Sequence, residues 1–275
     1  GGPPTIGDFN GDGFPDVALA GGIGYVIFDG QKLTDETVAD VDTRVWLQTT
    51  KDCSSAQTGS SLFDFDGDGK TEVVYADEET LRIYDGTNGN ELFTTCNTSG
   101  TLWEYPLVAD VDNDGHADII VASNHYSSLS CSGVQTTGIR VFGDVNGDWV
   151  RTRRIWNQHG YHVTNVAEDG SIPQQQPANH LTPGLNNFRQ NVQPEGEFSA
   201  PDLRVEVQVV CAQTYELVGR VRNLGQASVP PGVVVGFYEG DPGAGGVKLG
   251  EATTTQTLYA LGVEDVHFVP ATMPS

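Results

Sequence analysis

The chain of 275 residues is poor in basic side chains and in methionine, and it has no long apolar run. Fourteen Lys+Arg stand against 37 Asp+Glu, a formal charge of −23. Such a field repels phosphate backbones and attracts divalent cations, so no nucleic-acid partner is expected. No apolar stretch approaches the ~18 residues of a membrane-spanning helix, so no transmembrane segment is expected either. The start, Gly1-Gly2-Pro3-Pro4, lacks a signal-peptide pattern and the only methionine is Met273, so the chain reads as mature or excised. Cys53, Cys96, Cys131 and Cys211 lie far apart with no CxxC pair, which argues against a zinc knuckle or a dithiol redox motif. They are either inert thiols or the members of one or two disulfides, with the pairing open. GxSxG and HExxH are absent and no cysteine has an obvious histidine partner, so the chain is expected not to be an enzyme.

What is plentiful is glycine, 34 residues, with 14 prolines, 37% apolar residues and 9% aromatics. That composition describes a loop-rich β protein with a packed core, not a disordered acidic chain. One segment occurs three times: Asp8-Phe-Asn10-Gly-Asp12-Gly-Phe14-Pro-Asp16, Asp64-Phe-Asp66-Gly-Asp68-Gly-Lys70-Thr-Glu72 and Asp110-Val-Asp112-Asn-Asp114-Gly-His116-Ala-Asp118. Each copy carries oxygen-bearing side chains at positions 1, 3, 5 and 9 and glycine at position 6. Calcium takes six to eight hard oxygen ligands, and a glycine permits the sharp turn that wraps a chain around the ion. Position 7 (Phe14, Lys70, His116) would offer its backbone carbonyl, which leaves its side chain free to vary. Eleven acids crowd into the three loops, a density that cations would neutralise.

An EF-hand is excluded, because position 12 is Leu19, Tyr75 or Val121 where that motif needs a bidentate Glu. Short apolar runs follow the loops instead: Val17-Ala-Leu-Ala, Val73-Val-Tyr-Ala and Ile119-Ile-Val-Ala. Apolar residues also precede two of them, at Leu62-Phe63 and Leu107-Val108-Ala109. Twenty residues after the first Asp come Phe28 and Tyr84, each ending an apolar run before Asp-Gly. The third copy reaches Phe142 after a polar insertion, Asn124 to Thr137, that holds Cys131. The unit is strand, loop, strand, turn, strand, and repeats of this length built from antiparallel strands suit propeller blades or related stacked sheets.

These loops and their flanks, from about Asp8 to Val150, resemble the FG-GAP/VCBS repeats of integrin-like β-propellers. The resemblance implies one calcium ion per loop, about three in all, bracing the loops and doing no chemistry. Its metal residues are Asp8, Asn10, Asp12, Phe14, Asp16, Asp64, Asp66, Asp68, Lys70, Glu72, Asp110, Asp112, Asp114, His116 and Asp118. A fourth turn, Asp144-Val-Asn146-Gly-Asp148, has Trp149 at the glycine position and no acid at position 9, so it is assigned no metal. Complete propellers have about four to eight blades against three clear units here.

Residues 151–200 read as an irregular connector packed on the repeats, opening with Arg151-Thr-Arg-Arg-Ile-Trp-Asn-Gln-His. His159 and His162 sit three apart in it, but without a Glu-rich helix nearby they are expected to be structural. From 201 to 275 come five alternating strands, 203–210, 215–221, 233–238, 248–252 and 263–269. Ala200-Pro-Asp-Leu and Val221-Arg-Asn-Leu-Gly225 resemble a CARDB-type, Ig-like adhesion module, partial because such sandwiches have about seven strands. Thr253 to Thr257 reads as an exposed strand or an O-glycosylated stretch, and Asn97-Thr98-Ser99 is a sequon that favours export.

The expected fold is therefore all-β: FG-GAP/VCBS propeller-type blades in 1–150, the connector, and a partial Ig-like β-sandwich in 201–275. The expected function is a non-enzymatic, calcium-stabilised, secreted or cell-surface adhesion protein. It would associate with other copies of itself by strand donation into a filament, or with a cell-surface protein or glycan. The alternative is a carbohydrate- or protein-binding module of a larger secreted protein or enzyme.

Overall fold

The computed structural model describes residues 1–125, 128–167, 170–193, 201–211, 215–224, 228–259 and 262–270, with only the backbone of Cys211. Short apolar alternations broken by Gly and Asp make strands, and the described residues form sixteen of them beside one four-residue helix, α1 (Gly30–Leu33). They gather into two compact units, Gly1–Val111 with His116–Gln193, and Asp112–Gly115 with Pro194–Ser275.

In the first unit, β1 (Thr5–Gly7), β2 (Asp16–Ala20), β3 (Gly24–Phe28) and β4 (Arg44–Thr49) form one antiparallel sheet in chain order. A second sheet repeats this with β5 (Ser60–Phe63), β6 (Glu72–Ala76), β7 (Thr80–Tyr84) and β8 (Glu91–Cys96). The third has three strands, β9 (Leu107–Ala109), β10 (Asp118–Ser123) and β11 (Gly138–Phe142). Each acidic loop joins the first two strands of its sheet. The fourth strands, β4 and β8, and β1 before the first loop were not foreseen. β8 (Glu-Leu-Phe-Thr-Thr-Cys) is a solvent-facing edge, so it carries little of the apolar alternation that marks a buried strand. No closed propeller or barrel forms among the described residues.

The middle sheet is apolar on both faces. β6 is buried at all five positions. Val73 and Tyr75 join Phe9, Ala18, Tyr25, Ile27 and Tyr84 in one apolar layer, while Val74 and Ala76 join Phe63, Phe65, Val108, Ile119 and Val121 in the next. The period-two geometry of a strand makes this division automatic. A disulfide between Cys96 at the end of β8 and Cys131 in the polar insertion adds a covalent tie between the second and third repeats. Cys53 is free and exposed. Asn97 of the sequon is buried, donates its amide to Ala122 O at 3.1 Å, and accepts from Arg140. A glycan there would have to displace these bonds.

The stretch 151–193 belongs to the first unit and crosses the opening strand of all three sheets. Phe188 exchanges backbone hydrogen bonds with Ile6 on β1 (3.1 and 2.8 Å), Arg189 O accepts from Leu62 N on β5 (2.9 Å), and Asn191 donates to Val108 O on β9 (2.8 Å). Arg153, fully buried, donates to Tyr161 Oη and to the carbonyls of Val163 and Val166. His159 and His162 take separate partners, Trp103 O and Gln176 Oε1.

In the second unit β12 (Leu203–Cys211), β13 (Tyr215–Asn223) and β16 (Val263–Phe268) form one sheet in the order β12-β13-β16. β14 (Val234–Glu239) pairs with β15 (Val247–Thr253) in a second. Leu217, Val221, Val235, Phe237, Leu258 and Val266 make its core. The exposed strand expected over Thr253 to Thr257 ends at Thr253. Thr254 is buried and accepts from Val233 N, while Thr255 and Gln256 N–H groups donate to the Glu264 carboxylate, which draws the chain out of the sheet.

Candidate metal centre

In the first two loops the leading Asp begins the turn by accepting backbone N–H groups that would otherwise lack partners. Asp8 accepts from Gly11, Asp12 and Gly13 at 2.8, 3.1 and 2.8 Å. Asp64 accepts from Gly67, Asp68 and Gly69 at 2.7, 3.1 and 3.0 Å. Position 3 accepts from position 5 in every loop: Asn10 from Asp12, Asp66 from Asp68 and Asp112 from Asp114, at 2.9, 3.1 and 3.1 Å. Asp12 and Asp68 then accept from Phe14 N and Lys70 N, each at 2.8 Å. These nested Asx turns hold the side-chain oxygens on the inside of the bend.

Position 9 closes the loop in a way the spacing alone did not disclose. Asp16, Glu72 and Asp118 accept from the N–H of position 2, that is Phe9, Phe65 and Val111, at 3.4, 2.8 and 3.0 Å. Phe9 and Phe65 are buried plugs whose backbone therefore anchors the last acid. Position 4 was also overlooked. Gly11, Gly67 and Asn113 take φ of 77°, 75° and 62°, alongside 85°, 86° and 90° at Gly13, Gly69 and Gly115. Two left-handed residues per loop are needed, and the Gly, Gly, Asn series at position 4 was the available signal.

The result is a convergence of carboxylates. One oxygen each from Asp64, Asp66 and Glu72 lies within 4.8 Å of the others, and so do those of Asp110, Asp112 and Asp118. No three acids of the first loop meet that closely. There Asn10 stands at position 3, and both oxygens of Asp16 accept backbone bonds, the second from Gly30 N at 2.9 Å. Phe14 points to solvent, Lys70 Nζ pairs with Asp68 at 3.0 Å, and His116 Nδ1 meets Trp149 O at 2.7 Å. The fourth turn is an Asx turn only, Asp144 accepting from Asn146 and Asp148.

The electrostatics follow from crowding. Burial first, and the charges of Asp66, Asp64 and Asp68 after it, push the Glu72 carboxyl up from 4.5 to about 8. Burial likewise raises Asp64 and Asp16. Asp68 is held below the usual range by Lys70. Every converging donor is a hard oxygen, the set that fits Ca²⁺, and a cation among them would offset the repulsion that now opposes ionisation.

A search of curated proteins gives no significant match. The family model of the FG-GAP-like repeat matches residues 64–121, which span the second and third loops. The V. cholerae biofilm matrix protein Bap1 is similar in structure, with 31% sequence identity and a TM-score of 0.56 over 65% of this chain. The likeness covers 28% of Bap1.

Proposed function

We propose that this chain is a non-enzymatic, calcium-stabilised structural or adhesive protein that works outside the cell. The observation that carries the reading is the convergence of Asp64, Asp66 and Glu72, and of Asp110, Asp112 and Asp118, in loops that repeat in phase. Each loop would hold one calcium ion through positions 1, 3 and 5, the position 7 carbonyl and position 9. The ions would rigidify the bends between the first two strands of each sheet, where backbone N–H groups already point inward. Glu72, whose ionisation is opposed by burial and by neighbouring carboxylates, lies among these ligands, so the reading assigns it to a metal. The Cys96–Cys131 disulfide supports an oxidising, extracellular setting. The sheets are read as FG-GAP blades and the second unit as a CARDB-like sandwich. Association with further copies through an uncovered sheet edge, expected from the sequence as strand donation, belongs to the same proposal.

Native mass spectrometry during a calcium titration tests it. About three ions should bind, with a rise in Tm that a chelator reverses. A chain that takes up no calcium at millimolar concentration, and whose Tm is unmoved, would overturn it.

A further inference from the structure

β12 is the edge of its sheet. Its nine residues pair with β13 on one side, and its other edge meets no strand among the described residues. It contains no proline, and its only charged residues are Arg204 and Glu206, one of each sign. The register places Val205 opposite Val221 and Val209 opposite Leu217, so the odd-numbered residues lie on the core side of the sheet. Yet Leu203, Val205, Val207 and Val209 are 36, 47, 64 and 55% exposed, and the three valines border an open groove of about 500 Å³. The even-numbered face carries Arg204 and Glu206, both exposed and 4.0 Å apart.

This pattern is complementary to itself. A twofold axis normal to the sheet makes two β12 strands antiparallel and keeps the odd residues of both copies on one face. Such a register can centre on any residue of the strand, and only a centre near Arg204 and Glu206 can bring these two charges opposite each other. Centred on Arg204 or on Glu206, like charges stand directly opposite, which is destabilising. Centred on Val207, Arg204 faces Val210 and Glu206 faces Gln208. Centred on Val205, Arg204 of each copy faces Glu206 of the other, Leu203 faces Val207, and Val205 meets its own copy. Residues 201–275 carry 4 Arg+Lys and 8 Asp+Glu, a net −4 of the chain's −23, so repulsion here is modest.

We propose that β12 is a self-association surface whose partner is β12 of a second copy, paired antiparallel about Val205 and selected by two Arg204–Glu206 contacts. The inference deepens the self-association named above and makes it a closed twofold pair where head-to-tail donation would grow. It involves no loop ligand, so it stands or falls apart from calcium binding.

Sedimentation velocity on the full chain from about 1 to 100 µM, with calcium and with chelator, should show a concentration-dependent dimer. Arg204→Glu and Glu206→Arg should each weaken the dimer tenfold or more, with far-UV circular dichroism unchanged. The double variant R204E/E206R should return to within about threefold of the parent. A chain that stays monomeric throughout, single reversals without effect, a double variant that is not rescued, or open-ended oligomers would each overturn the proposal.

Discussion

The crowding around Glu72 makes a quantitative demand on the calcium-free protein. Its carboxyl is raised from 4.5 to about 8, chiefly by burial. Between those values the folded protein holds a proton that the unfolded chain has released. Folding stability contributed by this group is therefore complete below 4.5 and is lost as the pH rises through about 8. At 1.36 kcal/mol per pH unit the whole window is worth about 5 kcal/mol, and the part between pH 6 and pH 8 about 2 kcal/mol. For a unit of this size that corresponds to a Tm lower by about 4–8 °C at pH 8 than at pH 6. Calcium should reverse the trend, because a bound cation favours the ionised carboxylate, so the Tm gain on adding calcium should grow over the same interval. Glu72→Gln keeps an acceptor for Phe65 N and removes the titration. Its chelated form should show no such slope, and its calcium affinity should fall. Differential scanning calorimetry of both proteins, with calcium and with EGTA, reads all of this. A chelated wild-type Tm that is flat from pH 6 to pH 8, or a slope that persists in Glu72→Gln, would refute the assignment.

Three further outcomes are expected. Gly69 has φ +86° with nothing within 4 Å of a Cβ placed there, so Gly69→Ala should cost only the backbone term of about 1–2 kcal/mol, and Gly69→Asn less, by thermal melts in calcium. Replacing Cys96 and Cys131 by serine opens a cross-link spanning a sequence separation of 35 and should cost about 3–4 kcal/mol, measured by urea melts and matched by adding reductant to the parent. Trp149 packs on Phe65 with ring centroids 4.7 Å apart and its carbonyl meets His116, so calcium should change the tryptophan fluorescence, and Trp149→Phe should abolish the change.

The loops and the strands flanking them were legible because two periodicities coincide there. Oxygen-bearing side chains recur every second residue, and the following runs alternate between two buried faces. β12 to β16 were legible from apolar and β-branched alternation alone, each lying within two residues of its expected bounds at either end. β8 escaped because a solvent-facing edge carries little apolar alternation. The Thr253 to Thr257 stretch escaped because its polar residues are placed by Glu264, a partner that a local pattern does not contain. The roles of Phe9 and Phe65 escaped because a plug and a ligand anchor look alike as one apolar residue inside an acidic loop.

That same non-local logic accounts for the segment after the third sheet. Val150 N donates to Phe65 O at 2.9 Å, and Ala117 N donates to Val150 O at 3.0 Å, so one residue joins the second loop to the third. The turn Asp144 to Asp148 lacks the glycine and the final acid of a metal loop, yet it delivers Trp149 and Val150 to that junction. Its degeneracy as a ligand set follows from this different role, since Trp149 must pack on Phe65, which a glycine in its place would leave undone. Ordering of either loop by a cation would hold Val150 in position for the other, and the backbone bonds that carry this depend on no side chain that the sequence pattern marks.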